Sequence, residues 1–186
     1  MTTKNIPRSS AARVNVGFPP VCTGADLVLV LGSFPGQASL QKNQYYAHPY
    51  NGFWPIMGEL LGFDYTREYG ERVGFLNRNR VALWDVLTSC SRNGSLDSSI
   101  RKDSMIINEF DDFFENNRLI HTIFFNGAVA EAEFRKRVLT TKPLDKRKFV
   151  LHRLPSTSPA LATLSLSQKI QAWSVLLVAL GHIKEV

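Results

Sequence analysis

The sequence predicts an α/β protein in which a central four-stranded parallel sheet is flanked by helices, as a three-layer sandwich. Two observations lead to this prediction. Short, continuous apolar runs such as LVLVL at residues 27–31 are typical of strands buried on both faces. These runs alternate four times with longer segments in which apolar residues recur at helical spacing. Such an alternation favours parallel strands joined by helices that cover both faces of one sheet.

The elements follow one another in a regular order. Pro55 near the start of the first helix is tolerated, because proline fits the first turn. The segment 103–117 is predicted to be an amphipathic helix, since its isoleucines and phenylalanines fall on one side, and Gly181 is expected to cap the last helix. The predicted strands are residues 27–31, a strand that begins at 80–83, 119–125 and 149–154, and the helices are 53–61, 103–117, 128–139 and 166–180.

The chain has 186 residues, enough for one domain with a sizeable core. Residues 1–20 are rich in Thr, Ser, Pro and scattered charge, which predicts a flexible N-terminal arm, and residues 21–186 are predicted to form a single domain, present as a monomer. The formal net charge of +6 favours a polyanionic partner, because each phosphate neutralised by a basic side chain releases counterions.

Other features disfavour several classes of protein. Cys22 and Cys90 form no CxxC pair, and the four histidines lack the spacing of metal ligands, so we expect no metal and no other cofactor. No apolar run is long enough to span a membrane, and the N-terminus lacks the apolar core of a secretory signal. These features predict a cytoplasmic protein that does not bind membranes.

Functional residues in a parallel sheet gather in the loops after the carboxyl ends of the strands. The first such loop, residues 32–36, reads GSFPG, and its glycines and proline form a tight turn that a ligand can approach closely. No Lys-Ser or Lys-Thr pair follows the glycines, so this loop is not a phosphate-binding P-loop. The alternative interpretation is a purely structural turn.

The segment 45–54 (YYAHPYNGFW) concentrates five aromatic side chains within ten residues. Aromatic side chains in a loop can stack on an extruded base, and a loop asparagine can hold a water or bind a base edge. Tyr46 and Asn51 are the candidates for these two roles. Phe53 and Trp54 are interpreted instead as the start of a helix that fills the core.

A third unusual loop, residues 154–160 (LPSTSPA), places three hydroxyl groups between two prolines. Hydroxyls and backbone amides are good phosphate contacts, so this loop is a candidate DNA-binding element. The residues concerned are Pro155, Ser156, Thr157, Ser158 and Pro159. The alternative is a cap for the last helix, a role that Ser165 or Ser167 could fill instead.

Three motifs in this order resemble the uracil-DNA glycosylase superfamily. GSFPG is similar to its first catalytic motif, YAHPYNGFW to the corresponding segment of the mismatch-specific uracil glycosylases, and LPSTSPA to the loop that presses into the minor groove. The resemblance extends from Leu27 to about Ala162, and the combination looks most like the hypoxanthine-DNA glycosylase subfamily. The fold that it implies is a four-stranded parallel sheet between helices, in agreement with the prediction above.

The resemblance also implies roles for single residues. Tyr46 matches the aromatic residue that stacks on the flipped base. Asp85 lies at the strand end where the superfamily has a residue that bonds the base edge, although a strand-end cap or an ion pair with Arg92 or Arg101 is the alternative. Asn126, after the third strand, would contact the base or the backbone, and a helix N-cap is equally consistent with its position.

The sequence also departs from the superfamily. Phe34 replaces the asparagine of the GINPG branch, the aspartate of the classical uracil enzymes is absent, and Ser156 lies near the position of their histidine. In the hypoxanthine subfamily the catalytic role moves to an asparagine, which Asn51 matches. The backbone amides of Gly32, Ser33 and Phe34 would then stabilise the departing base.

The resemblance implies a monofunctional DNA glycosylase. It would flip a deaminated base, hypoxanthine or uracil, out of duplex or single-stranded DNA and hydrolyse its N-glycosidic bond, leaving an abasic site for base excision repair, without lyase activity. In a bacterium it would associate with the nucleoid. Two alternatives stay open: a non-catalytic protein that binds DNA lesions, and a hydrolase of free nucleosides or nucleotides.

Overall fold

The computed structural model describes residues 14–92, 94–140 and 148–182. Its strands are β1 (Val14–Val16), β2 (Val28–Gly32), β3 (Val81–Asp85), β4 (Leu87–Ser91), β5 (Ile106–Ile107), β6 (Thr122–Asn126) and β7 (Val150–Leu154). Its helices are α1 (Gln37–Lys42), α2 (Phe53–Leu61), α3 (Tyr69–Arg78), α4 (Phe110–Asn116), α5 (Ala128–Phe134), α6 (Leu166–Trp173) and α7 (Val175–Ala179), and a π-helical turn, Arg135–Leu139, extends α5.

Four of the strands form the predicted parallel sheet, in the order β3-β2-β6-β7. The alternating side chains of the central strand β2 point into two separate halves of the core, because successive residues of a strand face opposite sides. Val28 and Val30 pack with α2, α3, α6 and α7, whereas Leu29 and Leu31 pack with α4 and α5. The three-layer α/β fold is therefore confirmed.

The predicted boundaries agree closely with the structure where apolar periodicity is strong. Helix α2 has the predicted bounds, and the four strands of the parallel sheet begin or end within a few residues of their predicted positions. The predicted last helix is divided at Ser174 into α6 and α7. Gly181 follows α7 with a φ of 74°, in the left-handed region that favours glycine at a helix end.

The amphipathic helix predicted over residues 103–117 is wrong in its first half. Ile106–Ile107 forms β5, which pairs antiparallel with β4, and the helix begins only at Phe110. The isoleucines and phenylalanines thus belong to two elements, because backbone pairing with β4 takes the first part of the segment out of the helix. Strand β4 and the small antiparallel sheet β1-β4-β5 were not predicted from the sequence.

The N-terminal arm predicted over residues 1–20 overlaps β1, which pairs with β4 along Val14–Val16. Residues 1–13 lie outside the described part of the chain. Strand β1 is an edge of the small sheet, and its two valines are mostly exposed, so its sequence lacks the buried apolar run that identified the strands of the parallel sheet.

Helices α1 and α3 were also missed, because each buries little apolar surface. Ser39 is the buried residue of α1, and Leu76 that of α3, so the helical spacing of apolar residues is weak in both. The longest described helix, α3, has ten residues. No helix within the described ranges is long and apolar enough to cross a membrane.

Candidate active site

The carboxyl ends of the parallel strands meet at one edge of the sheet and surround a cavity of about 610 Å³. A cavity of this size is in the range of small-molecule sites. The GSFPG loop follows β2, Asp85 ends β3, Asn126 ends β6, and the 154–160 loop begins at the end of β7. The segment 45–54 contributes Tyr46 and Asn51. The structure therefore brings all three sequence motifs to a single cavity.

Three residues, Gly32, Tyr46 and Asp85, form what we call the floor of the cavity. Gly32 and Asp85 are register partners in adjacent strands. A Cβ added at Gly32 would overlap Asp85 Oδ1 and would lie 3.1 Å from the Tyr46 hydroxyl. Glycine is therefore required here, since only a residue without a side chain lets the carboxyl and the phenol approach the backbone so closely.

The Asp85 carboxyl is buried, with 4% of the residue exposed, and its Oδ2 atom has no hydrogen-bond partner among the described residues. Burial raises the pKa of Asp85 to about 8, the charge of Asp97 acts in the same direction, and Arg92 opposes them. The predicted alternative of an ion pair is wrong: Arg92 Nη2 donates to the carbonyl of Pro35, and Arg101 pairs with Asp103 at 2.7 Å.

Tyr46 has a φ of 53°, a strained left-handed conformation for a residue with a bulky side chain. Its ring stacks on Phe53 with 4.1 Å between centroids, so Phe53 covers one face. The hydroxyl is buried and forms no hydrogen bond of ordinary geometry, although the Asn126 side chain lies close enough to lower the phenol pKa. Burial, followed by the nearby Asp85 carboxyl, raises that pKa well above its usual range.

Asn51 lies at the cavity wall, one residue before the N-cap of α2. Its Oδ1 atom accepts a hydrogen bond of 2.9 Å from the backbone N–H of Phe53, and its own N–H donates to the carbonyl of His48. The side chain thus satisfies one free donor at the start of the helix. An amide oxygen has two lone pairs, so the same atom can still accept from a water in the cavity.

In the GSFPG loop, the two side chains that the sequence singled out are already engaged. Ser33 Oγ donates to Asp97 Oδ1 at 2.7 Å, and Phe34 is 6% exposed, with the Arg92 guanidinium 5.2 Å from its ring centroid. Neither side chain is placed as a nucleophile or a base. Gly32, Ser33 and Phe34 all line the cavity.

Asp97 is a cavity residue that the sequence analysis missed. It belongs to a short 3-10 turn, Asp97–Ser99, outside the parallel sheet. Burial raises the pKa of its carboxyl, whereas the hydrogen bond from Ser33 and the charge of Arg92 lower it. Ser33 and Asp97 are 64 residues apart, and no local pattern connects them, so only the folded chain reveals the pair.

The loop after β7 is held by hydrogen bonds that we call the clamp. Asn126 Nδ2 donates to Thr157 Oγ1, and Thr157 N donates to Asn126 Oδ1, both at 2.8 Å. The carbonyl of Thr157 accepts from Gly52 N at 2.9 Å, and the carbonyl of Pro155 accepts from the indole of Trp173 at 3.0 Å. The clamp joins the third motif to both β6 and the start of α2.

The clamp and the caps of α5 and α6 show which of the alternative structural roles predicted for Asn126 and for the 154–160 loop are wrong. Asn126 is the last residue of β6 and does not cap α5, whose N-cap is Gly127. Thr157 is 1% exposed, so its hydroxyl faces the protein instead of the surface. Ser165 caps α6 through a capping box with Gln168, so the 154–160 loop is not a helix cap. Ser156, Ser158 and Pro159 also line the cavity.

Comparisons with known proteins agree with this geometry. The chain is 38% identical over 112 residues to a hypoxanthine DNA glycosylase of Methanosarcina barkeri, which covers 60% of this chain and 70% of the relative. It is 38% identical over 115 residues to a hypoxanthine DNA glycosylase of Methanosarcina acetivorans, covering 61% and 72%. No family model matches the chain.

A solved structure extends the similarity to the fold. The solution structure of a candidate uracil DNA glycosylase from Methanosarcina acetivorans superimposes with a TM-score of 0.74 and 32% identity, covering 91% of this chain and all of the other. The family resemblance expected from the three motifs is therefore confirmed by sequence and by fold. The chain belongs to the hypoxanthine DNA glycosylase family of the uracil-DNA glycosylase superfamily.

Proposed function

We propose that this protein releases a deaminated base, hypoxanthine or uracil, from DNA by hydrolysis of the N-glycosidic bond. The observation that carries the proposal is the floor of the cavity, where Asp85 Oδ2 and the Tyr46 hydroxyl are both buried and have no hydrogen-bond partner among the described residues. Unpaired buried polar atoms are costly, and a ligand with polar edges would satisfy them. A flipped base is such a ligand.

Each motif supplies one requirement of the reaction. Tyr46 offers the face that Phe53 does not cover for stacking on the extruded base. The Asn51 oxygen accepts from the attacking water and directs it at the sugar carbon. The backbone amides of Gly32 to Phe34 face the charge that develops as the base departs. Asp85 binds the base edge, and Asn126 also lines the cavity.

The 154–160 loop and the positive charge of the protein support a DNA substrate. Ser156 and Ser158 are half-buried at the cavity, Pro159 is exposed beside them, and the clamp holds all three in place. A loop that is already ordered loses little entropy when it contacts DNA. No lysine lines the cavity in the described part of the chain, which favours hydrolysis over the Schiff-base chemistry of a lyase.

The test is single-turnover base release from a panel of duplexes and single strands, each with one deaminated base. We expect the wild-type protein to leave an abasic site that breaks only after alkali treatment. Binding without release would indicate a lesion-binding protein, and release from free deoxyinosine would indicate a nucleoside hydrolase. Strand cleavage without alkali would contradict the hydrolytic mechanism.

Asn51→Ala tests the assignment of the water-binding group. We expect the single-turnover rate to fall by ~100-fold or more, the scale seen when one positioning group is lost. Loss of the hydrogen bond to Phe53 N should also lower the stability by about 1 kcal/mol. Asn116→Ala is the matched control, since its amide also bonds a backbone atom of a helix but lies outside the cavity. Near-normal release by Asn51→Ala would contradict the assignment.

A further inference from the structure

Two carboxyl groups, those of Asp85 and Asp97, flank the first loop, and neither forms an ion pair with the nearby arginine. Arg92 is buried, its Nη2 donates to the carbonyl of Pro35, and its Nε and Nη1 atoms have no partner in the described ranges. Asp97 instead accepts from the Ser33 hydroxyl at 2.7 Å. Within the described part of the chain, the Asp85 carboxyl therefore lies in a buried site without a hydrogen-bonded cation.

The groups that face Asp85 come from several elements. They are Asp97 on the 3-10 turn, Arg92 after β4, and the phenols of Tyr45, Tyr46 and Tyr69. The phenols are neutral, since burial raises the pKa of each. Burial and Asp97 raise the pKa of Asp85 to about 8 against the effect of Arg92. At neutral pH the Asp85 carboxyl is therefore protonated, and it is a hydrogen-bond donor as well as an acceptor.

We propose that Asp85 is the general acid of the reaction and transfers the proton of its carboxyl to the departing base. This inference rests on the proposed function and deepens it, because reading the base edge requires a hydrogen bond only. A base that accepts a proton as it leaves is a better leaving group than one that departs as an anion. Asp85 lines the cavity, and its buried Oδ2 atom has no hydrogen-bond partner among the described residues, so the edge of an extruded base is the partner that we infer for it.

Water oriented by Asn51 forms a bond from its oxygen to C1′ of the deoxyribose as the C1′–N bond breaks. The electron pair of that bond goes to the base, which takes the Asp85 proton at a ring nitrogen or an exocyclic oxygen. The proton of the attacking water leaves through the cavity to solvent. The Asp85 carboxylate is then reprotonated from solvent, so the products are the hydroxylated sugar and the neutral base.

The first test is the pH dependence of single-turnover release from a hypoxanthine duplex. For the wild type we expect a level rate below about pH 8 and a tenfold fall per pH unit above it, because only the protonated carboxyl is active. Asp85→Asn keeps a donor of the same shape but has no proton to transfer. We expect it to be about 100-fold slower, without the wild-type fall above pH 8, and to bind the duplex as tightly as wild type.

Asp103→Asn is the matched control, since Asp103 is an exposed carboxylate paired with Arg101 outside the cavity. It should keep the wild-type rate and pH profile. A rate for Asp85→Asn close to that of wild type would overturn the proposal. So would a wild-type rate that rises through pH 8, because that result would require the ionised carboxylate.

A second measurement is independent of base release. In the 13C NMR spectrum of the carboxyl groups, the Asp85 resonance is identified by its loss in Asp85→Asn. It should titrate with a midpoint near pH 8, and a midpoint below about 5 would overturn the proposal. If the Asp85 resonance titrates near pH 8 but the wild type releases no base from any duplex, the conclusion that the carboxyl is protonated at neutral pH holds. In that case both the proposed function and proton donation to a base fail.

Discussion

The floor and the clamp line the same cavity but differ in whether their buried polar groups have hydrogen-bond partners. In the clamp, Asn126 and Thr157 satisfy each other through two hydrogen bonds of 2.8 Å. In the floor, Asp85 Oδ2 and the Tyr46 hydroxyl are equally buried but have no partner among the described residues. The difference indicates that a ligand binds at the floor, because buried polar atoms without partners in a protein usually mark a site where a ligand or water completes the hydrogen bonds.

The two regions also differ in what they contribute to stability. Each hydrogen bond of the clamp contributes about 0.5–1.5 kcal/mol, whereas a buried polar atom without a partner costs about 1–3 kcal/mol. The floor therefore lowers the stability of the free protein, and binding of a base is expected to recover part of that cost. The clamp stabilises the loop after β7, which in the proposed function helps to position the base.

Gly32→Ala is the most severe change to the floor. The new Cβ would overlap Asp85 Oδ1 and crowd the Tyr46 hydroxyl, so the carboxyl must move away from the base. We expect single-turnover release to fall by ~100-fold or more, as expected when a catalytic group is displaced from its position. Gly70→Ala is the control, because a Cβ there meets no atom within 4 Å. Normal release by Gly32→Ala would show that the floor does not contact the base.

The Asp85 carboxyl makes the stability of the protein depend on pH. Its folded pKa, about 8, lies above its unfolded value, so the folded state binds the proton more tightly and stability falls as pH rises from about 4 to 8. The expected slope is about 1.4 kcal/mol per pH unit for one proton. Asp85→Asn removes this dependence, and its Tm advantage over wild type should grow from pH 5 to pH 8. Equal advantages at both pH values would contradict a neutral Asp85.

Two substitutions of Tyr46 distinguish the contribution of its ring from that of its hydroxyl. Tyr46→Ala removes the stacking surface, worth about 1–3 kcal/mol per base, so release should fall about 5- to 150-fold. Tyr46→Phe keeps the ring against Phe53 and removes a buried hydroxyl without a partner, so it should retain most of the activity and should not lower the Tm. Equal losses in both variants would indicate that the hydroxyl binds the base.

The clamp gives the smallest expected effect. Thr157→Val keeps the shape of the side chain and the bond from Thr157 N to Asn126 Oδ1, but it leaves Asn126 Nδ2 without its acceptor. Stability should fall by about 1 kcal/mol, with a smaller change in release than that of Tyr46→Ala. Thr163→Val, at an exposed position, is the control. If the rate of base release falls by more than the loss of stability explains, the clamp also contacts the substrate.

The fold was largely predictable, because a strand buried on both faces must be apolar throughout. The strand at Val28–Gly32 bears this signature, and the helix at Phe53–Leu61 has apolar residues at helical spacing. The elements that were missed or misplaced have mixed or exposed surfaces. The edge strand Val14–Val16 exposes its valines, and Ile106–Ile107 is held by pairing with a distant strand. For such segments local periodicity is weak, and long-range backbone pairing decides the structure.

The sequence by itself determined the order of the three motifs, the class of fold and the family, because strand periodicity and motif spacing are local properties. Only the tertiary structure decided what each polar side chain does. In it, Asn126 bonds to Thr157, the Ser33 hydroxyl donates to Asp97, and buried Asp85 has no ion-pair partner among the described residues. The physical reason is that burial and hydrogen-bond partners depend on residues distant in the chain, and these set whether a carboxyl is charged or carries a proton.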